Sequence, residues 1–163
     1  MSLIVDASDT GLRMRAQTGM QALPLPLATL NAFDAIIDVR SPSEYADDHI
    51  PGAENCPVLN DAERTEVGTI YKQVSAFEAK KIGAAMVARN IGIHIEAAFR
   101  DKPKNWKPLI YCWRGGSRSS AMAHILRSVG WSALQLDGGY KRWRGQVIAE
   151  LESLPALFRF HVI

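Results

Sequence analysis

Tyr111-Cys112-Trp113-Arg114-Gly115-Gly116-Ser117-Arg118-Ser119-Ser120 joins two kinds of pattern. Before it, Leu109, Ile110 and Tyr111 form a short apolar run after Pro108, which reads as the end of a buried strand. From Arg118 onward the apolar residues fall at helical spacing. Cys112 therefore stands at a strand-to-helix turn, which Gly115 and Gly116 let close tightly. Such a turn aims successive backbone N–H groups inward, and the next helix adds its positive N-terminal end. A cysteine at the start of this cradle is expected to have a stabilised thiolate and a lowered pKa. The same cradle suits an anionic group, to which Arg114 and Arg118 would add charge-assisted hydrogen bonds. The plain alternative for Cys112 is a buried cysteine with no chemistry. A C-x5-R loop leading into a helix is a much rarer arrangement, and it favours function.

Outward from the loop, strand and helix alternate. Ala35-Ile36-Ile37-Asp38-Val39 is a continuous apolar run of strand length, as in a parallel sheet covered on both faces. Asp38 and Arg40 at its end are expected to brace the sheet edge rather than do chemistry. Ser41-Pro42-Ser43-Glu44 reads as a helix start: a cap, a proline at the first helical position and a capping-box acid. His49-Ile50-Pro51-Gly52 is a turn, and Ala53 to Val58 is the next strand, with Cys56 inside it as a structural thiol. Asn60-Asp61-Ala62-Glu63 opens a helical region running to about Arg100, with interruptions expected at Gly68 and Gly83. Its Lys72, Lys80, Lys81 and Arg89 form a basic face that suits either solvent or RNA phosphates.

After the loop, Ala121, Ile125 and Val129 make one helical stripe with Met122 and Leu126 beside it, and Gly130 ends the helix. Trp131 to Leu136 is a strand, Asp137-Gly138-Gly139 a turn, and Tyr140 to Leu154 a helix ended by Pro155. Leu3 to Val5 is a further short strand candidate, and Leu27 to Phe33 suits one or two helical turns. This alternation predicts an α/β domain with a central, mostly parallel sheet of about five strands and helices on both faces. Ligands in such folds bind beyond the carboxyl ends of the strands, where Cys112 lies.

The 163 residues suffice for one domain with a substantial core. A net charge of +2 is too small to argue for nucleic acid by itself. The two cysteines form no C-x-x-C, and His49, His94, His124 and His161 are scattered, so neither a metal site nor a cofactor is expected. No apolar run is long enough to span a bilayer, and Met1 to Val5 do not resemble a signal peptide. A cytoplasmic protein with reduced thiols is expected.

Asp38-Val39-Arg40, the Glu44-Tyr45 helix and His49-Ile50-Pro51-Gly52-Ala53 resemble the first signature of the rhodanese domain. Cys112 to Ser119 resembles its active-site loop, and Gly138-Gly139 with Trp143 its closing signature. The common sulfurtransferase loop of that family has six residues. Cys112 to Arg118 has seven, a length that resembles the dual-specificity phosphatases and arsenate reductases of the same fold. The wording of the loop, with Gly68-Thr69-Ile70-Tyr71-Lys72-Gln73 and Asp137-Gly138-Gly139-Tyr140-Lys141, is similar to the N-terminal domain of the tRNA 2-selenouridine synthases. Those enzymes replace the sulfur of a wobble-position 2-thiouridine with selenium from selenophosphate, through a geranylated intermediate.

The resemblance implies a rhodanese-like fold and Cys112 as the catalytic residue that carries sulfur or selenium. It implies Trp113, Arg114, Gly115, Gly116, Ser117 and Arg118 as the substrate-binding loop. Its implied partners are selenophosphate or another chalcogen donor, and tRNA for the full-length protein. It also implies a division into an arm over 1–26, a rhodanese-like domain over 27–154, and the start of a second, P-loop domain over 155–163. No G-x4-G-K-[ST] occurs in the chain, and the alternating Phe158 to Ile163 resembles the strand that leads into that loop. The expectation is a fragment cut at the second domain. Two other readings remain at this point: a phosphatase or arsenate reductase with Cys112 as nucleophile and Arg118 as oxyanion clamp, and a non-catalytic rhodanese-like binding module.

Overall fold

Residues 30–153 are described by a computed structural model, and the apolar runs within them form one parallel sheet. Its strands are β1 (Ala35–Asp38), β2 (Ala53–Asn55), β3 (Pro108–Tyr111) and β4 (Leu134–Gln135), in the order β2-β1-β3-β4. The helices between and after them are α1 (Pro42–Asp47), α2 (Asp61–Gln73), α3 (Ala76–His94), α4 (Ser117–Val129) and α5 (Gly139–Ser153). The sequence predicts about five strands and the described residues hold four; the candidate at Leu3 to Val5 lies outside them. The arm over 1–26 and the stretch 155–163 also lie outside them.

Pleating explains why the central strands are apolar throughout. Ile37 and Ile110 point to one face, where they pack with Ile91 of α3 and with Met122, Ala123 and Leu126 of α4. Ile36, Leu109 and Tyr111 point to the other face, with Leu136, just after β4, and Tyr140 of α5. Both faces are covered, so no position on β3 is left polar; all four of its residues are buried. Asp38 pairs in register with Tyr111, so β1 and β3 end level and release their chains at one edge. That edge carries the Cys112 loop.

Several local expectations need correction. The break in the long helical region falls at Val74–Ser75, because Ser75 caps α3 by accepting from the Glu78 amide. Gly68 and Gly83 lie inside helices instead. A Cβ on Gly83 would sit 3.4 Å from the Val67 methyl groups, so that glycine lets α2 and α3 pack closely. β2 stops at Asn55, although Cys56 still donates its amide to Asp38 O at 2.9 Å. β4 is shorter than the expected Trp131 to Leu136. The α4 stripe is rotated: Ser119, Met122, Ala123 and Leu126 are its buried residues, whereas Val129 is exposed. Gly130 ends α4 as expected, at φ 112°.

Candidate active site

Cys112 follows β3 directly and is 3% exposed. Its sulfur accepts a hydrogen bond from the Gly116 amide at 3.2 Å and lies 3.2 Å from the Ser119 hydroxyl. Burial pushes the Cys112 thiol up. The Ser119 hydroxyl and amide, the Gly116 amide and the Arg118 charge together more than offset it, so the thiol is held below its ordinary value. Cys56 shows the contrast: burial beside Glu54 pushes it up to about 11. Both cysteines are free, and Cys56 belongs to the core around Ile37 and Ile110.

The loop keeps its shape because α5 is pinned to it. The Tyr140 amide donates to Cys112 O and the Lys141 amide to Trp113 O, both at 2.9 Å. These donors belong to the first turn of α5, so the loop carbonyls satisfy amides that a helix cannot satisfy itself. The approach demands glycines at two places. Gly139 has φ 58°, and a Cβ there would run into Cys112 O. Gly115 has φ 67°, and a Cβ there would come within 2.8 Å of Leu136 O. Gly116, expected to share this role, has φ −91° and open space around it, so its position would admit a side chain. It caps α4 by backbone alone, which leaves the first α4 amides, at Ser117 and Arg118, without an intrahelical acceptor.

The side chains of the loop part company. Arg118 turns to α1, where its guanidinium donates to Glu44 Oε2 at 2.6 Å and Oε1 at 3.3 Å. Glu44 is partly buried, which raises its carboxyl pKa. Arg118, the Ser41 amide and Arg64 outweigh that and hold it below its ordinary value. Arg114 is exposed, with no ion-pair partner among the described residues. Trp113 is 36% exposed and lies against Tyr140, ring centroids 5.7 Å apart. Ser117 is exposed; with Arg118 it edges a cleft of about 490 Å³ whose apolar wall includes Leu59, Val67, Val87 and Ala121. Cys112 does not line that cleft.

Three residues outside the expected site set contribute to it. Ser119, fully buried, touches the sulfur. Gln135 of β4 donates to Gly115 O at 2.6 Å and to Ser119 Oγ at 3.0 Å. Glu44 holds Arg118. The sequence does carry a signal for Ser119, which follows the loop within the first turn of the helix and so faces back towards Cys112; nothing local marks Gln135. Beneath the loop, Asp38 and Arg40 form a buried pair, Nη2 to Oδ2 at 2.6 Å, and the Arg40 guanidinium lies 4.2 Å from the Tyr140 ring centroid. They brace the sheet edge, as expected. His49 and His94 contact the backbone carbonyls of Tyr45 and Pro57. Among the described residues no His, Cys, Asp and Glu cluster suits a metal ion. No helix among them is long and apolar enough to cross a membrane.

The rhodanese-like domain profile matches residues 26–146. The chain is 36% identical over 125 residues to tRNA 2-selenouridine synthase of Nitrosomonas europaea, covering 72% of this chain and 31% of that protein. It is 38% identical over 123 residues to the enzyme of the same name from Shewanella denitrificans, covering 75% and 34%. The chain thus spans about a third of the length of these relatives. Among solved structures, the N-terminal domain of a Clostridium difficile 630 protein described as ATP/GTP binding superposes with a TM-score of 0.61. It is 40% identical, over 70% of this chain and 88% of that one.

Proposed function

The chain belongs to the rhodanese-like domain family, and from that premise we propose that it is a sulfur or selenium transferase domain with Cys112 as the chalcogen carrier. The observation that carries this reading is the environment of the Cys112 sulfur: buried, hydrogen-bonded by Gly116 and Ser119, and acidified. The thiolate attacks the terminal chalcogen of a bound donor. A bond forms between Cys112 Sγ and that atom, and the bond to the rest of the donor breaks. The electron pair leaves with the remainder, which is sulfite when the donor is thiosulfate or selenosulfate. The persulfide or perselenide anion then rests in the cradle of loop and α4 amides. Arg114, open at the rim, meets the donor's anionic part. Arg118 acts at longer range, through its charge, while Glu44 holds it.

In the longer protein the chalcogen is destined for tRNA, as the names of the relatives suggest. Selenophosphate, the donor there, already holds its selenium at the selenide level, so it gives up selenide by cleavage of the P–Se bond, with the phosphoryl group passing to water and no perselenide formed. We assign that chemistry to this domain acting with a second, P-loop domain, and place residues 1–26 and 155–163 as the arm and the connection to it. A cytoplasmic location fits a thiol that must stay reduced.

A phosphatase needs a general acid for its leaving group. Two acids near the loop are engaged, Glu44 with Arg118 and Asp137 with Arg142, which favours chalcogen transfer. The test is to offer thiosulfate with cyanide as acceptor and, separately, an aryl phosphate. Thiocyanate formation that is lost in Cys112→Ser supports the proposal. Phosphate release that depends on Cys112, with no thiocyanate, supports the phosphatase instead.

A further inference from the structure

We propose that Gln135 is a positioning residue that sets the direction of the Ser119 hydroxyl, so that its proton points at the Cys112 sulfur. The inference rests on the reading of Cys112 as carrier for its functional meaning, but the geometry behind it concerns the thiol alone.

The Gln135 amide has one consistent orientation. Its terminal atom lies 2.6 Å from Gly115 O, 3.0 Å from Ser119 Oγ and 3.4 Å from Gly116 O. Two of these are carbonyl oxygens, which only accept, so the atom facing them is the NH2. Its two protons go to the two nearer acceptors. One lone pair of Ser119 Oγ is thereby occupied, and the hydroxyl must place its proton elsewhere. Two acceptors are in reach: Cys112 Sγ at 3.2 Å and Gly116 O at 3.3 Å. Gly116 O already accepts from the Ser120 amide at 3.1 Å and has Gln135 beside it. The sulfur, once ionised, is the stronger acceptor. The relay therefore runs from Gln135 to Ser119 to Cys112. All three lie on different elements, β4, α4 and the loop, so the sheet itself fixes their spacing.

The charged groups around the sulfur do not duplicate this effect. From α4, Arg118 contributes its charge while paired with Glu44 of α1. From β1, Asp38 and Arg40 are paired with each other. β4 presents the neutral Gln135, and α5 presents its amides to the Cys112 and Trp113 carbonyls.

The experiment measures the rate of iodoacetamide alkylation of Cys112 against pH in the wild type, Gln135→Leu, Ser119→Ala and the double variant. Circular dichroism checks that each is folded, and Gln135→Met replaces the leucine variant if that does not fold. The midpoint is expected to rise by about one pH unit in Ser119→Ala, a tenfold loss of acidity, and by about half a unit in Gln135→Leu. The double variant should move no further than Ser119→Ala alone, because Gln135 acts through Ser119. An unshifted midpoint in Gln135→Leu overturns the proposal. So does full additivity, which would mean that Gln135 acts through the loop backbone. A chalcogen reading that fails shows itself separately, as a normal alkylation profile with no transfer activity.

Discussion

Glu44→Gln tests how the loop is held. The substitution keeps the shape of the side chain and an acceptor for Arg118 and the Ser41 amide, but removes the charge. The pair it weakens is two-pronged, with Arg118 only 15% and Glu44 26% exposed. A solvent-exposed pair contributes up to about 1 kcal/mol. Breaking a fully buried one costs about 3–5 kcal/mol. A half-buried pair that retains one neutral hydrogen bond falls between, at about 1.5 kcal/mol. With a urea m-value of about 2 kcal/mol/M for a domain of this size, the unfolding midpoint should drop by about 0.7 M at pH 7. The effect has a pH signature. The folded carboxyl has its pKa held below its ordinary value, so its contribution is fully present above the unfolded pKa and is lost as pH falls through the folded one. The two urea midpoints should therefore converge in acid, below the ordinary carboxylate range. Equal midpoints at pH 7, or a gap that persists undiminished in acid, would refute the argument that an ion pair anchors Arg118.

Two further outcomes follow from the loop itself. Gly139→Ala should lose about 3 kcal/mol or more, from the left-handed backbone at φ 58° and from displaced bonds to Cys112 O and Trp113 O, whereas Gly145→Ala, with open space around it, should be neutral or slightly stabilising; urea denaturation of both variants checks this. Iodoacetamide at pH 7 should label Cys112 and spare Cys56, whose thiol is pushed up to about 11, as peptide mapping would show; equal labelling of the two in the folded protein would contradict the acidified site.

The fold was legible because its strongest signals are local. Ala35 to Val39 and Leu109 to Tyr111 are mostly apolar, and only a sheet covered on both faces makes that pattern economical. The turn at Cys112 was legible for a related reason: a strand-length run, two glycines and a helical period meet within ten residues. The site's supports were not, since they depend on contacts across the fold. Gln135 reaches Ser119 only because β4 pairs beside β3, with Ile110 opposite Gln135. Arg118 looked like an anion clamp from its place in the loop, yet its guanidinium lies against Glu44, 74 positions away in the chain. The break between α2 and α3 went to Ser75 rather than to a glycine because a cap satisfies amides actively, while a glycine inside a helix merely weakens it.

Intact mass spectrometry after anaerobic incubation with thiosulfate or with selenosulfate puts the carrier role of Cys112 to the proof. The expected result is one added sulfur or selenium atom that is absent from Cys112→Ser, with the preferred donor identifying the working atom. No adduct from either donor, in a protein whose Cys112 still alkylates at neutral pH, would contradict chalcogen transfer.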